Sequence, residues 1–106
     1  MTTVRSIFEG MPETFLKDKA TGLDAVIQFD ITGDGGGMWH ALITNGELAV
    51  VEGRHASPRL TLSASAKDYV DISTGKLNGQ LAFMTGRLTA KGDLALAMKM
   101  QSIFKR

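Results

Sequence analysis

The sequence predicts an α+β domain in which one helix leads into a meander of strands and further helices surround a last strand. Three observations predict it: apolar residues spaced by three and four at the start, alternation from Ala25 to Ala64, and a return to helical spacing after Ser65. At 106 residues the chain has the size of one folding unit, residues 1–106, with enough length for a real core.

Roughly Thr2 to Lys19 sets Val4, Ile7, Phe8, Met11, Phe15 and Leu16 on one stripe, which predicts an amphipathic helix broken or kinked at Pro12. Thr21-Gly22 stops it. From Ala25 to Thr32, Val26, Gln28 and Asp30 alternate with Ile27, Phe29 and Ile31, the pattern of a half-buried strand. Gly33-Asp34-Gly35-Gly36-Gly37 is a turn, and Met38 to Thr44 is a second strand. Asn45-Gly46, the strongest short hairpin signal, then leads into a third, Leu48 to Glu52. Beyond the polar loop Gly53 to Ser57 and Pro58, Arg59 to Ala64 alternates again, so these strands read as an antiparallel meander.

After Ser65, Tyr69, Ile72 and Leu77 mark a short helix interrupted by Gly75. Leu81, Phe83 and Met84 form a second apolar segment that ends at Gly86, and Leu88 to Lys91 has room for one more strand. Gly92 breaks the chain, Asp93 is placed as an N-cap, and Leu94 to Phe104 is a closing helix whose apolar arc is wide for a surface helix.

Hydrophobic residues make up 43% and charged residues 22%, the balance of a soluble globular protein. Twelve basic and eleven acidic residues leave a net charge of +1 with the signs interspersed, so no nucleic-acid partner is expected. There is no polybasic anchor, and membrane contact is expected to be transient at most. The absence of cysteine excludes disulfides, thiolate metal sites and a cysteine nucleophile. Met1 to Met11 carries Arg5 and Glu9 and does not read as a signal peptide, and no apolar stretch approaches the ~20 residues of a membrane span. A cytoplasmic location is expected.

The residues that could carry chemistry are sparse. The glycine run lacks the dinucleotide fingerprint, which needs glycine where Met38 stands, and no phosphate-cradling glycine-lysine-serine/threonine follows it. Asp30 and Asp34 lack the spacing and closing glutamate of a calcium loop. His40 and His55 are the only imidazoles and are not spaced to share a helical face; both are expected on the outside, His55 in a solvated loop. No serine lies in a Gly-x-Ser-x-Gly elbow. No catalytic residue, metal ligand or cofactor is expected, and the chain does not read as an enzyme. What remains is apolar: Phe83, Met84, Leu88, Leu94, Leu96, Met98, Met100, Ile103 and Phe104 crowd the last quarter. They can fill a core or, methionine being adaptable, line a site for apolar ligands of varied outline.

The stretch Asp71-Ile72-Ser73-Thr74-Gly75-Lys76-Leu77-Asn78-Gly79-Gln80-Leu81-Ala82-Phe83-Met84-Thr85-Gly86-Arg87-Leu88 resembles the signature of the sterol carrier protein 2 family. Lys91-Gly92-Asp93-Leu94-Ala95-Leu96-Ala97-Met98-Lys99-Met100 is similar to that family's second and more specific motif. The resemblance implies a five-stranded, mainly antiparallel sheet covered on one side by helices, with an apolar tunnel between them. The tunnel would take a fatty acid, fatty acyl-CoA, sterol or phospholipid. Its implied lining is Phe83, Met84, Leu88, Leu94, Met98 and Met100, with Ile27, Phe29 and Leu62 as the opposite wall and Trp39 in the tunnel or at its rim. The final Phe104-Lys105-Arg106 differs from the peroxisomal tripeptide of animal members, so peroxisomal targeting is not expected.

The expected function is reversible, non-catalytic binding, and with it transfer, of an apolar lipid-like ligand. The alternative is a structural or interaction module, a homodimer or accessory subunit, that buries the same apolar face against a partner.

Overall fold

The computed structural model describes residues 2–104, the side chain of Gln101 excepted. The first helix, α1, spans Val4–Thr14. A capping box starts it: the Thr3 hydroxyl accepts the Ser6 amide at 3.1 Å, and the Ser6 hydroxyl accepts the Thr3 amide at 2.9 Å. Val4, Phe8 and Met11 form its buried stripe. The helix ends earlier than its apolar spacing predicts. Pro12 removes one amide from the last turn, and Phe15 and Leu16 become extended to pair with the end of the closing helix, the Leu16 amide donating to the Ile103 carbonyl at 2.7 Å. Lys17–Ala20 follows as one 3-10 turn.

Strands β1 (Ala25–Thr32), β2 (Gly37–Thr44), β3 (Glu47–Glu52), β4 (Leu60–Ser65) and β5 (Leu88–Gly92) form one sheet in the order β3-β2-β1-β4-β5. Three of its pairings are antiparallel, and β1 with β4 is parallel. The expected meander therefore holds only as far as β3. After Glu52 the chain crosses the back of the sheet and joins the far side of β1. Its path is pinned strand by strand: the Gly53 amide donates to the Met38 carbonyl at 2.8 Å, the His55 amide to Gln28 Oε1 at 2.8 Å, and the Arg59 amide to the Val26 carbonyl at 2.9 Å.

This crossing also corrects the reading of β1 as half-buried. Covered on both faces, it buries Gln28 at 2% exposure, and His40 beside it on β2 is buried as well. His40 faces away from the helices as expected, but under the crossing segment rather than in solvent: its Nδ1 donates to the Gly53 carbonyl at 2.9 Å. His55 is half-buried, its ring 5.3 Å from that of His40. Its Nδ1 accepts the Ser57 amide at 3.0 Å.

Helices α2 (Ala66–Ser73), α3 (Gly79–Met84) and α4 (Leu94–Ile103) complete the fold. Each begins on the cap its sequence supplies: Ser65 for α2, Asn78 for α3 and Asp93 for α4. Gly75 and Gly86, with φ of 84° and 81°, close α2 and α3 in the left-handed region that favours glycine. Among the described residues no helix is long and apolar enough to cross a membrane.

Candidate functional site: an apolar cavity between sheet and helices

Register decides which part of the sheet is free to form a site. On the helix-facing side, Phe29, Leu62 and Ala90 stand in one row across β1, β4 and β5, and Ile31, Ala64 and Leu88 stand in the next. Toward the opposite edge, Trp39, Ala41 and Ile43 of β2 are buried, Trp39 beneath α1. There Phe8 stacks on Trp39 at 4.9 Å between ring centroids and on Tyr69 at 5.1 Å, while Phe29 meets the Phe8 ring edge-on at 5.1 Å. The solid core thus lies under α1, and the β4–β5 side remains hollow.

That hollow is a cavity of about 730 Å³. Its floor is Phe29, Ile31, Leu62, Leu88 and Ala90. The helices supply its walls: Ile7 and Met11 from α1, Tyr69 and Ile72 from α2, Phe83 and Met84 from α3, and Leu94, Ala97, Met98 and Met100 from α4, with Phe104 just beyond. Of the ten lining residues anticipated from the sequence, Phe29, Leu62, Phe83, Met84, Leu88, Leu94, Met98 and Met100 come together here. Ile27 and Trp39 do not. Ile27 is fully buried one row below the floor, between Ala41 and Leu60. Trp39 lies one strand too far across, under Phe8, with the Arg5 guanidinium 5.1 Å from its ring.

One margin of the cavity is polar. Ser6 and Thr14 of α1 and Thr74 and Gln80 of the α2–α3 corner belong to the lining, with Glu13 as its only carboxylate among the described residues. The hydroxyls of Ser6, Thr14 and Thr74 donate to the carbonyls of Thr3, Met11 and Val70 at 2.8, 3.1 and 2.8 Å. Their lone pairs remain able to accept from a ligand hydroxyl or amide. The other margin is apolar and open, for Met84 and Met98 are 77% and 74% exposed although they line the cavity.

Behind the sheet, Asp30, Arg54, His55, Thr61 and Ser63 border a separate polar cleft. Arg54 lies 3.7 Å from the Asp30 carboxylate, whose other oxygen accepts Gln28 Nε2 at 3.1 Å. These contacts fasten the crossing segment.

A family model described as the SCP-2 sterol transfer family matches residues 6–105. The chain belongs to that family. Hydroxysteroid dehydrogenase-like protein 2 of Bos taurus is 30% identical over 105 residues, which are 97% of this chain and 25% of that protein. Peroxisomal multifunctional enzyme A of Dictyostelium discoideum is 38% identical over 68 residues, 63% of this chain and 15% of that protein. The chain spans about a quarter or less of the length of these relatives.

Among solved structures, the stereoselective inverting sec-alkylsulfatase Pisa1 from Pseudomonas sp. matches with a TM-score of 0.83 at 19% identity, over 99% of this chain and 17% of that one. Palmitated SCP2L2 from Aedes aegypti matches with a TM-score of 0.74 at 24% identity, over 96% and 94% of the two chains. At these identities the likeness concerns the fold.

Within this SCP-2 domain, the two stretches that carry the family resemblance build the hollow half of the molecule. Asn78 caps α3, Ala82 anchors it without exposure, and Gly92-Asp93 turns β5 into α4. Asp93 Oδ1 accepts the Leu96 amide at 3.1 Å while its Oδ2 takes Arg59 Nε at 2.9 Å. Those two contacts, the amide first, hold the Asp93 carboxyl below the usual carboxylate range. On α2, Lys67 Nζ lies 2.8 Å from Asp71, and this hydrogen bond lowers the Asp71 carboxyl and raises the Lys67 ammonium.

Proposed function

We propose that the chain binds one apolar, lipid-like molecule in the cavity between sheet and helices and releases it again without covalent chemistry. The observation that carries this reading is the cavity itself: about 730 Å³, within the range of small-molecule sites, walled by aliphatic, methionine and aromatic side chains. In a well-packed domain such side chains close on one another. Here Phe83, Met84, Leu94 and Met98 stay 48–77% exposed around the space they border.

An apolar chain entering this space gains about 0.8 kcal/mol per buried methylene before ordering costs, so a chain of moderate length reaches micromolar affinity. The polar margin at Ser6, Thr14 and Thr74 suits a hydroxyl, ester or amide at one end of the ligand. The non-enzymatic reading is supported by placement: Glu13 is the one carboxylate of the described lining, and both histidines lie across the sheet, engaged with the crossing segment. The dehydrogenase-like and multifunctional-enzyme names belong to proteins of which this chain spans a quarter or less.

Native mass spectrometry of the purified protein, with extraction of whatever co-purifies, tests the reading. A lipid recovered near one-to-one supports it and names the ligand class. Apo-protein that also fails to take up palmitate, the acyl chain borne by the Aedes aegypti protein of the same fold, fatty acyl-CoA or a fluorescent sterol overturns it.

A further inference from the structure

We propose that the polar cleft behind the sheet is a second binding site, for the phosphate groups of a small, water-soluble phosphate ester. The cleft, of about 570 Å³, lies across the sheet from the apolar cavity and does not depend on what fills that cavity. Register sets two polar rows side by side there: Gln28, Thr61 and Lys91 in one, and Asp30, Ser63 and Thr89 in the next. Arg54 and His55 of the crossing segment border the rows on the β1 side, tied to Asp30 and Gln28. Side chains carried on paired strands are held in place before a ligand arrives.

The hydrogen-bonding groups left over identify the ligand. The acceptors are already engaged: Gln28 Oε1 takes the His55 amide at 2.8 Å, Asp30 Oδ1 takes Gln28 Nε2 at 3.1 Å, and Asp30 Oδ2 lies 3.7 Å from Arg54. The donors are free. The Lys91 ammonium and the Thr61 and Ser63 hydroxyls make no hydrogen bond or ion pair among the described residues. Arg54 meets Asp30 through one nitrogen and is otherwise open, its side chain 65% exposed. Because His55 Nδ1 accepts the Ser57 amide, the neutral ring carries its proton on Nε2, as a further donor.

Such a cleft suits an anion that only accepts hydrogen bonds. Arg54 stands over β1 and Lys91 on β5, two strand spacings or about 10 Å apart, with the hydroxyls between them. Donors thus approach from both sides and from the floor, which fits the tetrahedrally arranged oxygens of phosphate better than a flat carboxylate. Ala56, Pro58 and Ala90 are the only apolar residues of the lining among the described residues, so the cleft offers no room for a lipid tail.

Pyrophosphate serves as the probe. The backbone amides of the ¹⁵N-labelled full chain are followed by NMR during titration with sodium pyrophosphate and, at matched ionic strength, with sodium chloride. Pyrophosphate should give saturable shifts confined to the crossing segment and to the strands behind which the cleft lies, with a Kd of about 1 mM or below. Chloride should not reproduce them. Lys91→Gln should weaken binding about fivefold, as loss of one exposed charge contact does. Lys99→Gln, the same change of charge on α4, should leave it unchanged. Thr61→Val keeps shape and charge and should weaken binding about tenfold, as loss of a hydrogen bond to an ion does.

No saturable shift, or shifts that chloride reproduces, overturns the proposal. So does Lys91→Gln binding like wild type, or Lys99→Gln weakening binding as much, since net charge alone would then explain the effect. Lys91 is exposed, so its variant decides the question even where Thr61→Val fails to fold. A folded Thr61→Val that binds as tightly as wild type overturns the hydroxyl floor and the site with it.

Discussion

Arg59 and Asp93 join the start of β4 to the start of α4: Nε and Oδ2 are 2.9 Å apart, and the Asp93 amide donates to the Arg59 carbonyl at 3.0 Å. The same guanidinium reaches the Asp24 carbonyl at 3.1 Å, beside β1. One pair therefore fixes the helix that forms a wall of the cavity to the strands that form its floor.

Removing the carboxylate should loosen that wall. Asp93→Ala loses both the cap on Leu96 and the partner of Arg59, and should lower Tm by about 4–8 °C. Asp93→Asn keeps a capping oxygen and should lower it less at neutral pH. The sign with pH follows from the direction of the shift. Because the folded state holds the Asp93 carboxyl below its ordinary value, its contribution is complete above that value and is lost as pH falls through the folded one. Thermal melts of wild type and Asp93→Asn should therefore converge on acidification below about pH 4. A constant separation from pH 7 to pH 2 would show that this carboxylate carries no such linkage.

Phe8 holds the part of the molecule that is not hollow. It is fully buried and touches the rings of Phe29, Trp39 and Tyr69, which belong to β1, β2 and α2. Phe8→Ala should cost about 3–5 kcal/mol by transfer and cavity terms together. Denaturation followed by the emission of Trp39, the only tryptophan, measures it. A cost below about 1 kcal/mol would mean that α1 closes over the gap.

Glycines at two positions should respond in opposite directions. Gly92 has a φ of 113°, and a Cβ there would stand 2.5 Å from the Arg59 carbonyl oxygen. Gly92→Ala should destabilise by about 1–3 kcal/mol and weaken ligand binding, because relief of the clash moves β5 and with it Ala90 and Leu88 of the floor. Gly10 lies within α1 with open space around its missing Cβ. Gly10→Ala should stabilise by about 0.5–1 kcal/mol, as alanine usually does inside a helix. Urea denaturation of the two variants decides both signs.

Local chemistry made most of the elements legible. The alternation of Ala25 to Thr32, the Asn45-Gly46 turn and the Asp93 cap each leave their mark within a few residues, and β1, the β2–β3 hairpin and α4 lie where those marks put them. Strand order leaves no such mark. Nothing in Gly53 to Arg59 announces that it crosses the back of β1, since its ties to Met38, Gln28 and Val26 are formed by backbone groups and by one buried amide. That missing crossover is also why His40 reads as exposed.

The cavity was legible where the family motifs run, along Phe83, Met84, Leu88, Leu94, Met98 and Met100. It was not legible on α1 and α2, where Ile7, Met11, Tyr69 and Ile72 have the same spacing whether they face packed side chains or open space. Ile27 and Trp39 show the limit from the other side: the period-two pattern gives the correct face of a strand, and only cross-strand register says which row is hollow.

Register also supplies a clean test of the site. Ala97 has the smallest side chain among the α4 residues that line the cavity, while Ile27, on the same face of the sheet as the floor, is sealed beneath it. Ala97→Phe adds apolar volume to existing space, so it should leave Tm unchanged or raise it while weakening uptake of a fluorescent fatty acid at least about tenfold, the equivalent of 1.4 kcal/mol. Ile27→Val should do the reverse, costing about 0.5–1.5 kcal/mol of stability with affinity unchanged. If Ala97→Phe instead destabilised the protein as an overpacked core would, with uptake intact, the space between α4 and the sheet would not be where the ligand lies.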